Sequence, residues 1–98
     1  MAFDTDNLDI KNNPDENRFE LILDGKTAVV EYMIAGSNIV FTHTEVPPEF
    51  SGMGIGNKLA QAALEYAKAE GYKVQALCPF IAAYVRKHPE YQSITWGY

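Results

Sequence analysis

Cysteine is almost missing from this chain: Cys78 is the only one in 98 residues. A single cysteine excludes an internal disulfide and a multi-cysteine metal site, and no metal is expected. Long apolar runs are missing too. None approaches the ~20 residues of a membrane span, so no membrane partner is expected. The first residues, Met1 to Asp6, have neither a positive region nor an apolar core, which argues against a secretory signal. A cytoplasmic protein is the expectation. Basic residues are scarce, 8 against 13 acidic ones, for a net charge of −5. With no basic face to offer, the chain is not expected to bind nucleic acid. The acidity is concentrated at the front: residues 1–17 hold five acids and one base, whereas residues 57–98 carry a balance of +2. A small anionic ligand near the C-terminal half is compatible with that distribution.

What is present is ordinary for a globular domain, 47% hydrophobic and 21% charged. A chain of this size buries roughly 60–65% of its unfolded surface, enough for one modest core. The expected organisation is a polar, partly flexible arm over residues 1–17 and one domain over residues 18–98. Arg18 to Leu23 alternates, with Phe19, Leu21 and Leu23 on one face, and predicts a strand. Asp24-Gly25 is a two-residue hairpin signal, returning through a strand from Thr27 to Ile34. Ala35 to Asn38 turns again into a third strand, Ile39 to Val46, which Pro47-Pro48 ends. From Gly54 to Glu70 the period becomes helical, with Ile55, Leu59, Ala62, Ala63 and Tyr66 as the apolar stripe and Gly71 placed to end it. Tyr72 to Leu77 reads as a fourth strand. Pro79 opens a second helix to about Lys87, and Ser93 to Trp96 adds a last short strand. The order β-β-β-α-β-α-(β) predicts an α+β fold, a mostly antiparallel sheet with helices packed on it. Its open edge suits a monomer or a weak homodimer.

Three glycines at alternate positions, Gly52, Gly54 and Gly56, sit between the third strand and the first helix. Such spacing exposes backbone N–H groups and admits a close ligand, and the helix start adds partial positive charge. The combination suits a phosphate or pyrophosphate. It is not a P-loop, because Asn57 separates Gly56 from Lys58 and Leu59 replaces the hydroxyl. Nor is it a dinucleotide fingerprint, which needs Gly-x-Gly-x-x-Gly in a βαβ unit. A plain glycine turn between strand and helix is the structural alternative.

The segment Val46 to Leu59 resembles the acyl-coenzyme A loop of the GCN5-related N-acetyltransferases, whose pattern is Arg/Gln-x-x-Gly-x-Gly/Ala. Gly54 and Gly56 match its glycines, and Ser51 stands where Arg or Gln is usual. His43 to Pro48, Leu77 to Phe80 and Tyr84 to Tyr91 extend the similarity to short acetyl-coenzyme A-binding members of about one hundred residues, covering roughly residues 18–92. The resemblance implies acetyl-coenzyme A as acyl donor and an amine or protein acceptor. Ser51, Gly52, Met53, Gly54, Ile55, Gly56 and Asn57 would hold its pyrophosphate, and the backbones of Glu45 and Val46 its pantetheine arm. Full-length members carry two helices between their first two strands, for which the tight Leu23 to Thr27 hairpin leaves no room.

Three residues are candidates for the chemistry. Cys78 directly precedes Pro79, and a thiolate at a helix start is favoured by the dipole and attacks a thioester. Its alternative is a small buried hydrophobe. His43, expected on the face of Ile39 and Phe41, would be a general base or activate Cys78; otherwise it is a hydrogen-bonded histidine at a strand end. Tyr84 resembles the tyrosine that the family places near the coenzyme sulfur as general acid, and aromatic packing is its alternative. Three readings follow: an acetyltransferase, a non-catalytic acetyl-coenzyme A-binding module, and an interaction protein without a cofactor.

Overall fold

The computed structural model describes residues 9–96 and 98. Six strands lie side by side in chain order: β1 (Lys11–Asn13), β2 (Arg18–Leu23), β3 (Lys26–Ala35), β4 (Asn38–Glu45), β5 (Lys73–Ala76) and β6 (Thr95–Trp96). Helix α1 (Ile55–Glu70) joins β4 to β5, and α2 (Pro79–Lys87) leads from β5 towards β6. Pairing is antiparallel from β1 to β4 and parallel for β4–β5 and β5–β6. The expected element order and α+β class hold, with β1 added in front.

β1 falls within the stretch expected to be an arm; residues 1–8 of that stretch lie outside the described residues. Polar side chains hold the strand, which is why a hydrophobic pattern does not reveal it. Asn12 accepts a 2.7 Å hydrogen bond from the buried Tyr32 hydroxyl, and Asn13 donates to Glu20 at 3.4 Å. The β2–β3 turn has positive φ at both Asp24 (53°) and Gly25 (75°), as a primed hairpin turn requires to match the strand twist.

Alternation puts Phe19, Leu21, Ala28, Val30, Tyr32, Ile39, Phe41, Val74 and Ala76 on one face, and this face forms the core with both helices. Two right-handed crossovers running in the same direction place α1 and α2 on the same side of the sheet. The buried stripe of α1 is Ile55, Leu59, Ala60, Ala63, Leu64 and Ala67. It is rotated from the expected one because α1 packs against α2 as well as the sheet, which leaves Ala62 and Tyr66 half-buried at its margin. No helix among the described residues is long and apolar enough to cross a membrane.

One irregularity decides the site. Along β3–β4, Glu31 faces His43 but Tyr32 faces Phe41, so Thr42 is an extra residue on β4. Such a bulge reverses the alternation beyond it. Phe41 points into the core, His43 is exposed, and Thr44 takes the inward direction. The expectation that His43 shares the face of Ile39 and Phe41 is therefore overturned.

Candidate functional site

The β4–β5 ladder stops at Phe41–Ala76. There the Phe41 carbonyl accepts from both Leu77 N (3.1 Å) and Cys78 N (2.9 Å), and the chain leaves the sheet into α2. The rest of β4 continues beside β3, so β4 and the start of α2 part like the arms of a V. One bond crosses the gap: Thr44 Oγ1 and Cys78 Sγ are 3.1 Å apart. Cys78 is the N-cap of α2 and 4% exposed. Its partner is thus Thr44, which strict alternation from Phe41 would have put on the opposite face.

The glycine loop follows β4 in the chain. A one-turn 3₁₀ segment, Pro48–Phe50, precedes it and buries Phe50. The N–H groups of Ser51 and Met53 are engaged on the carbonyls of Pro48 (3.0 Å) and Phe50 (3.2 Å). Gly52, Gly54 and the first turn of α1 are left as the donors for an anion. Gly54 caps α1 at φ 72°, a left-handed conformation costly for a branched side chain, and it has no side chain to satisfy the first helical N–H groups. Gly56 serves differently: a Cβ there would lie 2.8 Å from Cζ of Phe80 on α2. The two helices can approach only because that position is bare.

A cleft of about 230 Å³ opens at the loop, lined by Val46, Ser51, Gly52, Gly54, Ile55, Gly56 and Asn57 together with Phe50 and Phe80. Seven of the nine residues expected to hold the coenzyme meet there. Glu45 is exposed at the end of β4, and Met53 packs against the core, neither in the lining. Phe50 and Phe80 were not singled out in the sequence. The signal for Phe80 was Gly56, whose missing side chain makes sense only with a neighbour above it. A second cleft, about 160 Å³, adjoins it on the α2 side and shares Asn57 and Phe80. A third hollow, between Asp9, Lys11, Glu20 and Ile22, is at the far edge of the sheet, and its charges already pair as Lys11–Asp9 (3.5 Å) and Arg18–Glu20 (2.8 Å).

The three chemical candidates do not converge. His43 faces outward beyond the bulge. Tyr84 lies six residues along α2 from Cys78, about 9 Å at 1.5 Å per residue. Its ring stacks on His88, with centroids 3.8 Å apart, and lies 6.1 Å from that of Tyr91. Burial raises its hydroxyl above the ordinary phenol value, and the Glu90 and Glu65 carboxylates add to the rise. Cys78 with Thr44 is the pair the fold brings together. Among the described residues no group of three or more His, Cys, Asp or Glu side chains is arranged to hold a metal ion.

Comparison with solved structures first identifies the fold. A GCN5-like protein from Staphylococcus aureus, determined in solution by NMR, superimposes with a TM-score of 0.73 at 33% identity, over 94% of this chain and 91% of that one. The architecture is that of the N-acetyltransferases. Residues 18–94 match the family described as GCN5-related N-acetyltransferase, and the chain belongs to that family. It is also similar to protein NATD1 of Gallus gallus, 34% identical over 85 residues, covering 84% of this chain and 77% of that protein. The mouse NATD1 is 35% identical over 83 residues, covering 82% and 76%. Acetyl-coenzyme A is the group the family typically uses.

Proposed function

We propose that the chain binds acetyl-coenzyme A on the Ser51–Asn57 loop and passes the acetyl group to an amine. The observation that carries this reading is a cleft lined by the glycine loop together with Val46 and Phe80, each two residues along the chain from the bonded pair Thr44 and Cys78. The residues suit the ligand. Gly52 and Gly54 are left-handed, with open space where a side chain would stand, the start of α1 contributes its positive end, and no side chain beyond Ser51 needs to reach the pyrophosphate.

When bound, acetyl-coenzyme A supplies a thioester whose carbonyl carbon is open to attack. Cys78 is the nucleophile that the fold offers. Its Sγ takes the acetyl group while its proton leaves through Thr44 Oγ1 to the departing coenzyme thiol. An amine then attacks the acetyl-Cys78 thioester, and the thiol re-forms as the amide is made. Each step exchanges one acyl group for one proton, so the cycle is balanced. The thiol is buried, and Thr44 beside it is half-buried.

A second reading, a binding module without turnover, is favoured by one observation. Residues 14–17, which join the first two strands β1 and β2, are too few for the two helices that would wall an acceptor groove. Intact mass after incubation with acetyl-coenzyme A separates the two. An acetyl increment that vanishes in Cys78→Ala supports transfer. Saturable binding with no increment supports the module, and absence of binding overturns both.

A further inference from the structure

Both helices cover one face of the sheet, and among the described residues the other face carries neither. Register defines that outer face. Met33, Val40, Gln75 and Trp96 are successive partners across β3, β4, β5 and β6, so their side chains share one side. At about 4.8 Å per strand the row is about 14 Å long. Met33 and Trp96, at its two ends, are each more than half exposed, and so is Leu77, two residues beyond Gln75 on the same side. Large apolar side chains grouped in this way mark a contact surface.

The charges beside the row select what fits it. Across β3–β4, Glu31 pairs with His43 and Val29 with Glu45. Glu31 and Glu45 are thus diagonal neighbours on the outer face, roughly 7–8 Å apart, within reach of one cationic side chain. Among the described residues neither carboxylate has an ion-pair partner: Arg18 is held by Glu20 (2.8 Å), Lys11 by Asp9 (3.5 Å) and Lys26 by Glu49 (3.3 Å). Lys73 lies at the opposite margin of the row, beside Asn38. Residues 1–8 carry Asp4 and Asp6 and no base, and a second copy would bring the same carboxylates and a net charge of −5. Both would meet like charge, whereas a basic segment meets opposite charge.

The face also reaches the gap between β4 and α2. His43 precedes Thr44 and Leu77 precedes Cys78, and both are exposed while the bonded pair points inward. His43 and Leu77 therefore edge the outer mouth of that gap. We propose that the outer face docks a basic polypeptide segment, with apolar side chains on the row from Met33 to Trp96 and a cationic side chain at Glu31 and Glu45, and that a lysine of this segment is the amine brought to the gap. The acceptor role rests on the transfer reading above; the docking does not. In the transfer, the neutral lysine Nζ bonds the acetyl carbon, the bond from that carbon to Cys78 Sγ breaks, and the proton leaving the nitrogen goes to the sulfur.

A blocked peptide of leucines and arginines around one lysine tests it, with glutamate in place of arginine in the control peptide. In ¹H–¹⁵N NMR titrations at low salt, the amides of Met33, Val40, Gln75 and Trp96 should shift with the basic peptide and stay still with the acidic one. Glu31→Gln and Glu45→Gln should each weaken the basic peptide about threefold, the reach of an exposed ion pair, and Trp96→Ala about tenfold. Lys73→Gln and Cys78→Ala should not weaken it. Equal binding of both peptides, shifts confined to the helix side, contacts between residues 1–8 and Trp96 in the free protein, or a dimer buried at the same amides would each overturn the docking. With Cys78 acetylated, the basic peptide should take the acetyl group about tenfold faster than the acidic one; equal rates overturn its role as acceptor. A Cys78 that takes no acetyl group overturns the transfer reading and the acceptor role with it, and the amide shifts still decide the docking.

Discussion

The glycine loop and the Thr44–Cys78 corner are built from different materials. In the proposed reading the loop works through backbone: N–H groups set by left-handed glycines and a helix start, almost indifferent to the side chains between them. Ser51 in place of the family's usual Arg or Gln therefore costs it little. The corner works through two side chains whose meeting depends on the bulge at Thr42. Backbone sites tolerate sequence change and announce themselves by glycine spacing. Side-chain sites depend on register, and a single inserted residue redirects them.

Substitutions can break each site separately. The largest effect is expected at Gly54→Val. A branched residue at φ 72° costs about 1–3 kcal/mol and swings the loop N–H groups away. Acetyl-coenzyme A affinity should fall on the order of 100-fold, from two lost charge-assisted bonds, while a cooperative thermal transition remains. Titration calorimetry and a melting curve measure both. Next, Cys78→Ala should abolish the acetyl mass increment yet keep affinity within about twofold, because backbone carries the binding. Equal affinity loss at both positions would show that the two sites are not separable.

Thr44→Val should have a smaller effect than either. It keeps the volume but leaves the buried thiol without its partner, slowing acetyl uptake about tenfold without changing affinity; time-resolved intact mass is the readout. The smallest change is expected far from either site. Tyr91→Phe removes the 2.7 Å bond to Glu65 that ties the end of the chain to α1, costing about 1–2 kcal/mol. Burial, joined by Glu65, raises the Tyr91 hydroxyl above its ordinary 10.0, and burial raises Tyr32 and Tyr84 as well. The fold prefers the neutral phenols. Their contribution is complete below pH 10 and is lost as pH rises beyond the unfolded value. Denaturation against pH should show that alkaline loss, shallower in Tyr91→Phe.

The same contrast explains what could be read beforehand. The hairpin at Asp24-Gly25, the change of period at Gly54 and the Pro79 helix start are local signals, and they placed every strand and α-helix from β2 to β6 to within two residues, but not the 3₁₀ segments Pro48–Phe50 and Pro89–Ile94. β1 escaped because Asn12 and Asn13 hold it by polar bonds that depend on Tyr32 and Glu20, distant in sequence. His43 was assigned its face by counting along β4, and the count fails at Thr42. Thr44 was missed for the same reason. His88 next to Pro89 marks the end of α2 in the sequence; only the fold lays its ring on Tyr84.

The central claim is that the loop backbone is the seat of the ligand, and amide resonances report on it directly. In a two-dimensional ¹H–¹⁵N NMR titration with acetyl-coenzyme A, the amides of Gly52, Gly54, Gly56 and Asn57 should show the largest saturable shifts. If those amides stay still while resonances elsewhere move, the loop is only a turn between strand and helix, and the account is wrong.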